Sequence, residues 1–204
     1  AAWATAISEL VAMILSGISV FKYTNEYKID KASIKLDGKI SWSQIKIGIP
    51  ISLQFSITSI GSMVLQTAVN GFGANVIAGF TAAGRVEQLT NIPMSGLGVG
   101  NMTFVSQNYG AGKYERILKS VKRIFILDVI VSVFCSAILV GIGPFIVKLF
   151  MKEYNPEIMN AANHYLWAIA ECYSLVAVLF VFRNTLQGLG FTYANMIAGA
   201  GEFF

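Results

Sequence analysis

The sequence predicts an all-α fold, a polytopic transmembrane helix bundle, and three observations predict it. Of 204 residues, 55% are hydrophobic and 13% are charged, where a soluble domain carries about 25% charged residues. The mean hydropathy is +0.62. The basic residues are clustered: of the 15 Lys and Arg, six lie between Lys22 and Lys46 and five between Lys113 and Arg123. Apolar runs long enough to span a bilayer separate these clusters. The alternation is the positive-inside pattern, with both clusters on the cytoplasmic face. It also turns the net charge of +4 away from nucleic acid and toward a lipid bilayer as partner.

Taken in order, residues 1–21 form the first crossing. Ala1, Ala2, Ala4, Ala6 and Ser8 crowd its first half and suggest close helix contact. Residues 22–41 turn polar and Lys-rich, with Asp37-Gly38 as a turn signal. They read as a cytoplasmic linker, either solvated or lying in part on anionic lipid. Ser41-Trp42-Ser43-Gln44 fits a capping box. The helix it starts runs to about Asn70, and Pro50 inside it frees the carbonyl of Lys46. Ser52, Ser56, Ser59, Met63, Gln66 and Asn70 step by four and three and share one face. That stripe reads as hydroxyl glue between helices or as a cavity wall.

Gly71-Phe72-Gly73 is an outer turn. The stretch that organises the chain runs from Thr81 to Ser120, and its helix from Ala74 or Asn75 to about Ser106. It reads as a broken membrane helix, kinked at Pro93, with Gln88, Asn91 and Ser95 along one face. Its small-residue patch, Ser95 to Gly100, is expected to pack closely on a neighbour. A polar hinge, Ser106 to Gly112, opens into the second basic cluster. Residues 114–151 form the next span, with Asp128 near its cytoplasmic end and paired with a nearby Arg or Lys. Asn155 as N-cap, Pro156 and Glu157 start a helix that continues to about Gly188. Asn160, His164, Trp167, Glu171 and Ser174 share one of its faces, and Arg183 snorkels near its far end. A last span begins at Phe191 and is cut off. The linker thus divides one crossing from about four more plus the start of another. The chain opens on Ala1, stops inside an apolar run, and is expected to be a fragment.

Enzyme motifs fail one by one, so the chain is not expected to be an enzyme. Gly96-x-Gly98-x-Gly100 lacks the third spacing of a dinucleotide loop, and Gly110-Ala111-Gly112-Lys113 is followed by Tyr114 where a phosphate loop needs Ser or Thr. A single His gives no histidine cage, so no metal site and no cofactor are expected. Cys135 and Cys172 read as buried small hydrophobes. What remains are ionisable residues at membrane depth: Glu9, Arg85, Glu87, Asp128, Glu171 and Glu202. A charge at the bilayer centre costs at least about 2.5–3.5 kcal/mol, so each must face the bundle, find a partner or lose its charge. Glu171 lies roughly 21 Å into its helix and shares a face with His164. A carboxyl there suits a proton carrier or a neutral hydrogen-bonded strut. Arg85 and Glu87 are two apart and are expected to meet different helices.

These residues carry a resemblance. Gly48-Ile-Pro50 with Leu53-Gln54-Phe55-Ser56, Leu65-Gln66 to Asn70, Phe80-Thr-Ala-Ala83 with Arg85, and Pro93 resemble the multidrug and toxic compound extrusion (MATE) transporters. So do Phe104 to Gly112 with Arg116, and Arg183-Asn184 with Leu186 to Gly190. The resemblance implies twelve helices in two lobes. Residues 1–21 would be the last helix of the first lobe, 22–41 the linker between lobes, and 42–204 a partial second, C-terminal lobe. The rest of the first lobe would be a missing partner of the same chain.

The resemblance also implies a multi-pass protein of the cell (plasma or inner) membrane that exports small organic, cationic or aromatic compounds in exchange for H⁺ or Na⁺ by alternating access. Where one branch of the family carries a carboxylate about two turns after the proline of helix seven, this chain has Thr58. The ion-coupling candidates are therefore Glu171, Glu87 and Arg85. Gln54, Ser56, Ser59, Gln66, Asn70, Gln88, Asn91 and His164 are candidates for the wall of the substrate chamber. The alternative is a lipid-linked saccharide flippase of the same superfamily, which would place Arg or Lys in the chamber to hold pyrophosphate.

Overall fold

The computed structural model describes residues 2–23, 37–151 and 154–201. Most of the expected linker, the Lys152-Glu153 pair and Glu202 lie outside the described residues. The chain divides into two units, Ala1–Gln44 and Ile45–Phe204. In the first unit, α1 (Ala2–Tyr23) is an apolar helix whose described side chains are nearly all exposed. The close contact expected of Ala4, Ala6 and Ser8 therefore finds no partner among the described residues of that unit.

The next helix, α2 (Gly38–Asn70), starts a turn earlier than the predicted capping box. Asp37 does the capping instead. Its Oδ1 accepts from Lys39 N at 2.8 Å and from Ile40 N at 3.5 Å, and its carbonyl accepts from Ser41 N at 2.9 Å. A carboxylate facing free N–H groups and the positive end of the helix dipole outcompetes a serine one turn on. The turn signal at Asp37-Gly38 was thus the start of the helix.

In the second unit, α3 (Ala74–Gly110), α4 (Tyr114–Gly141) and α6 (Pro156–Gly188) pack on one another. The predicted break in α3 is absent: helix continues through Pro93 to Gly110. Pro93 and Leu89, whose carbonyl the proline leaves without its helical N–H, are both exposed. The single span expected over 114–151 is instead two helices. Ile142 separates α4 from the short α5 (Gly143–Leu149), because Pro144 in its first turn lacks the N–H that would continue α4. The last described helix is α7 (Thr192–Gly201). By length and composition α2, α4 and α6 are long and apolar enough to cross a membrane. The longest helix, α3, carries Arg85, Glu87 and a run of amides, and is not among them.

Small residues set the α3–α6 contact. A Cβ on Gly79 would lie 2.5 Å from the carbonyl oxygen of Ile158, and one on Gly188 would lie 2.7 Å from that of Met102. A Cβ on Gly98 would lie 2.5 Å from Asn184 Nδ2. Of the predicted glycine patch, Gly98 alone makes this contact; Gly96 and Gly100 face open space. Because Gly79 meets the start of α6 and Met102 meets its end, the two helices run parallel. The core between α3, α4 and α6 holds Val86, Met94, Cys135, Leu139, Leu166 and Tyr173. Backbone approach and packing of this kind, with a few hydrogen bonds, hold helices together where lipid supplies no hydrophobic drive. Cys172 departs from expectation: it is exposed, one position off the buried Tyr173.

The ends of α3 and α6 are built alike. After α3, Lys113 N donates to Asn108 O at 2.9 Å and Gly112 N to Tyr109 O at 3.0 Å, with Gly112 at φ 68°. After α6, Phe191 N donates to Leu186 O at 2.9 Å and Gly190 N to Gln187 O at 3.0 Å, with Gly190 at φ 85°. Both are Schellman closures, which need a left-handed residue and so select glycine. They turn the chain at the same end of the bundle, the end that carries the basic cluster.

Candidate functional site

A cleft of about 380 Å³ opens between α2 and α3. Gln66 comes from α2; Phe80, Thr81, Gly84, Arg85, Glu87, Gln88 and Asn91 come from α3. Five residues singled out in the sequence, Gln66, Arg85, Glu87, Gln88 and Asn91, meet here. A second opening of about 460 Å³ shares Gln88 and Asn91 and extends the surface to Ser95, Gly96 and Phe180. The helical repeat explains the gathering: positions 81, 84, 88, 91 and 95 step by three and four along α3.

Glu87 is fixed from behind. Tyr165 of α6 donates from its hydroxyl to Glu87 Oε2 at 2.6 Å, and the Tyr165 ring stands edge-on to Phe80 with centroids 4.7 Å apart. One turn on, Thr90 Oγ1 and the hydroxyl of Tyr173 share a buried hydrogen bond of 3.0 Å. Arg85 is exposed and forms no ion pair with Glu87; both line the cleft, and of the two Glu87 bonds to α6. Asn91 keeps a buried Oδ1 without a hydrogen-bond partner among the described residues.

The other candidates lie elsewhere. On α2, Gln66 Nε2 donates to Asn70 Oδ1 at 3.1 Å, and Ser56 Oγ to Ser52 O at 2.9 Å. Ser56, Ser59 and Asn70 are exposed along that helix. Gln54 is buried, and its amide oxygen accepts from Nε and Nη2 of Arg183. Arg183 therefore does not snorkel outward. It is held between α2 and α7, where Asn195 Nδ2 donates to its carbonyl at 2.9 Å and Gly199 leaves room for the Gln54 side chain. His164 and Glu171 are exposed on the surface of α6, beside Trp167.

Asp128 was expected to pair with a nearby cation. It is instead fully buried on α4, on the stripe of Ser132, Cys135 and Leu139, and neither carboxylate oxygen has a hydrogen-bond partner among the described residues. The basic side chains of α4 stop at Arg123. Position 128 is five residues on, about 140° around the helix, and so faces the core. Asn101, also buried, donates from Nδ2 to Thr185 Oγ1 at 2.9 Å while its Oδ1 has no partner among the described residues. Among the described residues no three His, Cys, Asp or Glu side chains come together as a metal site.

Helices long and apolar enough to cross a membrane, with an amide-rich cleft on one side, define a polytopic helical membrane protein. The MatE family model matches residues 50–201, and the chain belongs to that family. It is similar to the probable multidrug resistance protein YpnP of Bacillus subtilis, at 27% identity over 93% of this chain and 42% of that protein. It is also similar to an FAD transporter of Shewanella oneidensis, at 25% over 92% and 41%, and to the multidrug export protein MepA of Staphylococcus aureus, at 23% over 99% and 42%. The chain therefore spans about two fifths of the length of these relatives.

Proposed function

We propose that this chain is the greater part of the second lobe of an ion-coupled efflux antiporter. The full protein exports organic, cationic or aromatic compounds across the cell membrane in exchange for H⁺ or Na⁺. The observation that carries the reading is the cleft that gathers Gln66, Arg85, Glu87, Gln88 and Asn91. Several relatives are named for multidrug resistance or multidrug export. Amides and a carboxylate on a membrane helix suit an organic cation, since they offer acceptors without a fixed geometry.

In this reading Glu87 couples the ion to the cargo. Its carboxylate accepts from Tyr165 on α6. A proton or Na⁺ on that carboxylate weakens the bond and loosens α3 from α6; a cationic cargo at the cleft competes for the same charge. Each ligand then favours a different state of one bistable contact, as exchange requires. Glu171, exposed on α6, and Arg85 are the remaining candidates for this role.

Efflux by the full-length protein, followed as loss of a fluorescent organic cation from loaded cells, tests the reading. Glu87→Gln is expected to abolish ion-driven efflux, and Glu171→Gln to leave it intact. Wild-type efflux by Glu87→Gln contradicts the role of Glu87, and loss with Glu171→Gln moves the role to α6. A second reading, a lipid-linked saccharide flippase, needs cations to hold a pyrophosphate. Arg85 is the one cation that lines the cleft; accumulation of lipid carrier without drug sensitivity on deletion would favour it.

A further inference from the structure

A separate cleft of about 450 Å³ lies at the basic end of the bundle, between the last turns of α3 and the first turns of α4. Arg116, Lys119 and Arg123 line it with Ser120, and Phe104 and Leu127 supply an apolar wall. The three cations step by three and four, so one face of α4 presents them together. No acid lines the cleft. Glu115 reaches Lys119 at 3.9 Å, but these side chains are 90% and 74% exposed, a geometry worth little in water. Arg116 and Arg123 have no carboxylate partner among the described residues. The Arg116 guanidinium stands 5.7 Å from the centroid of the Phe104 ring, a cation–π contact that orients it.

Charge and apolarity are divided along the helix. Arg116 lies near the start of α4, while Leu127 lies eleven residues on, roughly 16 Å deeper. Three like charges in one wall repel until an anion enters. A ligand that fills the whole cleft carries a compact anionic head and an apolar tail. We propose that the cleft binds an anionic phospholipid, its phosphate held by Arg116, Lys119, Arg123 and Ser120 and its chain laid along Phe104 and Leu127. Basic pockets between membrane helices hold headgroups by this chemistry. Free phosphate matches the head but leaves the apolar wall uncovered. The site is independent of cargo and coupling ion.

The test uses the full-length transporter in detergent, with phosphatidylglycerol and phosphatidylcholine as probes and retained lipid counted by native mass spectrometry. Wild type is expected to retain phosphatidylglycerol preferentially. Arg123→Gln lowers that preference about fivefold and the triple change R116Q/K119Q/R123Q about a hundredfold, since each cation at a membrane surface contributes roughly such a factor. Arg123→Lys restores the preference, which separates charge from folding. Three results overturn the proposal. One is equal retention of both lipids by wild type, as when an acidic segment of the longer protein covers the cleft. Another is an undiminished preference in a folded triple variant. The third is displacement of phosphatidylglycerol by equimolar inorganic phosphate, which marks a free-phosphate site.

Discussion

Tyr165 of α6 donates a 2.6 Å hydrogen bond to the carboxylate of Glu87 on α3, so the wall of the polar cleft is tied directly to the helix behind it. Glu87 is thereby the one carboxylate that both lines the cleft and touches a second helix through a hydrogen bond. Tyr165→Phe keeps the ring against Phe80 and removes only the hydroxyl. It is expected to lower the stability of the full-length protein by about 1 kcal/mol, a common size for a hydrogen bond between membrane helices. Unfolding in mixed micelles measures this; an unchanged midpoint means that the bond contributes nothing.

Glycine at 188 is required by space. A Cβ there would lie 2.7 Å from the Met102 carbonyl oxygen and 3.0 Å from Val105 Cβ. Gly188→Ala must push α3 and α6 apart and is expected to cost about 1–3 kcal/mol, the range for overpacking. Gly100→Ala meets nothing within 4 Å. It is expected to be neutral or to stabilise by up to about 1 kcal/mol through helix propensity. The same unfolding assay reads both, and equal effects would remove the distinction between the two glycines.

Asp128 is buried, and neither of its oxygens has a hydrogen-bond partner among the described residues. Burial of a charge without partners is costly, and Asn at this position removes the charge at nearly constant volume. Asp128→Asn is therefore expected to fold and to be at least as stable as wild type at neutral pH. A loss above about 1 kcal/mol in the full-length protein would show that the carboxylate has a partner beyond the described residues.

Much of the bundle was legible in the sequence because the signals were local. Asn155 accepts from Glu157 N at 2.9 Å at the start of α6, as its type and place before Pro156 predict. Gly112 and Gly190 close helices as glycines do. Gln88, Asn91 and Ser95 line one surface because helical spacing alone puts them there. What depended on distant partners was not legible. Arg183 reads as a snorkelling cation until α2 brings Gln54 against it, and Asp128 reads as a paired acid until the rotation of α4 turns it inward. Nothing in the spacing of Glu87 names Tyr165, 78 positions on. The exposed stripe of His164, Trp167 and Glu171 shows the same limit: amphipathic spacing finds a face, while its neighbour is chosen by packing.

Thiol labelling of Gln88→Cys tests most directly whether the α2–α3 cleft is a wet chamber that holds cargo. The background is the full-length transporter without other cysteines, because Cys172 is itself exposed. A membrane-impermeant maleimide is expected to modify Gln88→Cys, and a transported organic cation to slow that reaction, while Leu175→Cys on the apolar surface of α6 stays unlabelled. Failure to label Gln88→Cys from either side of the membrane, or labelling that no exported compound slows, would contradict the chamber.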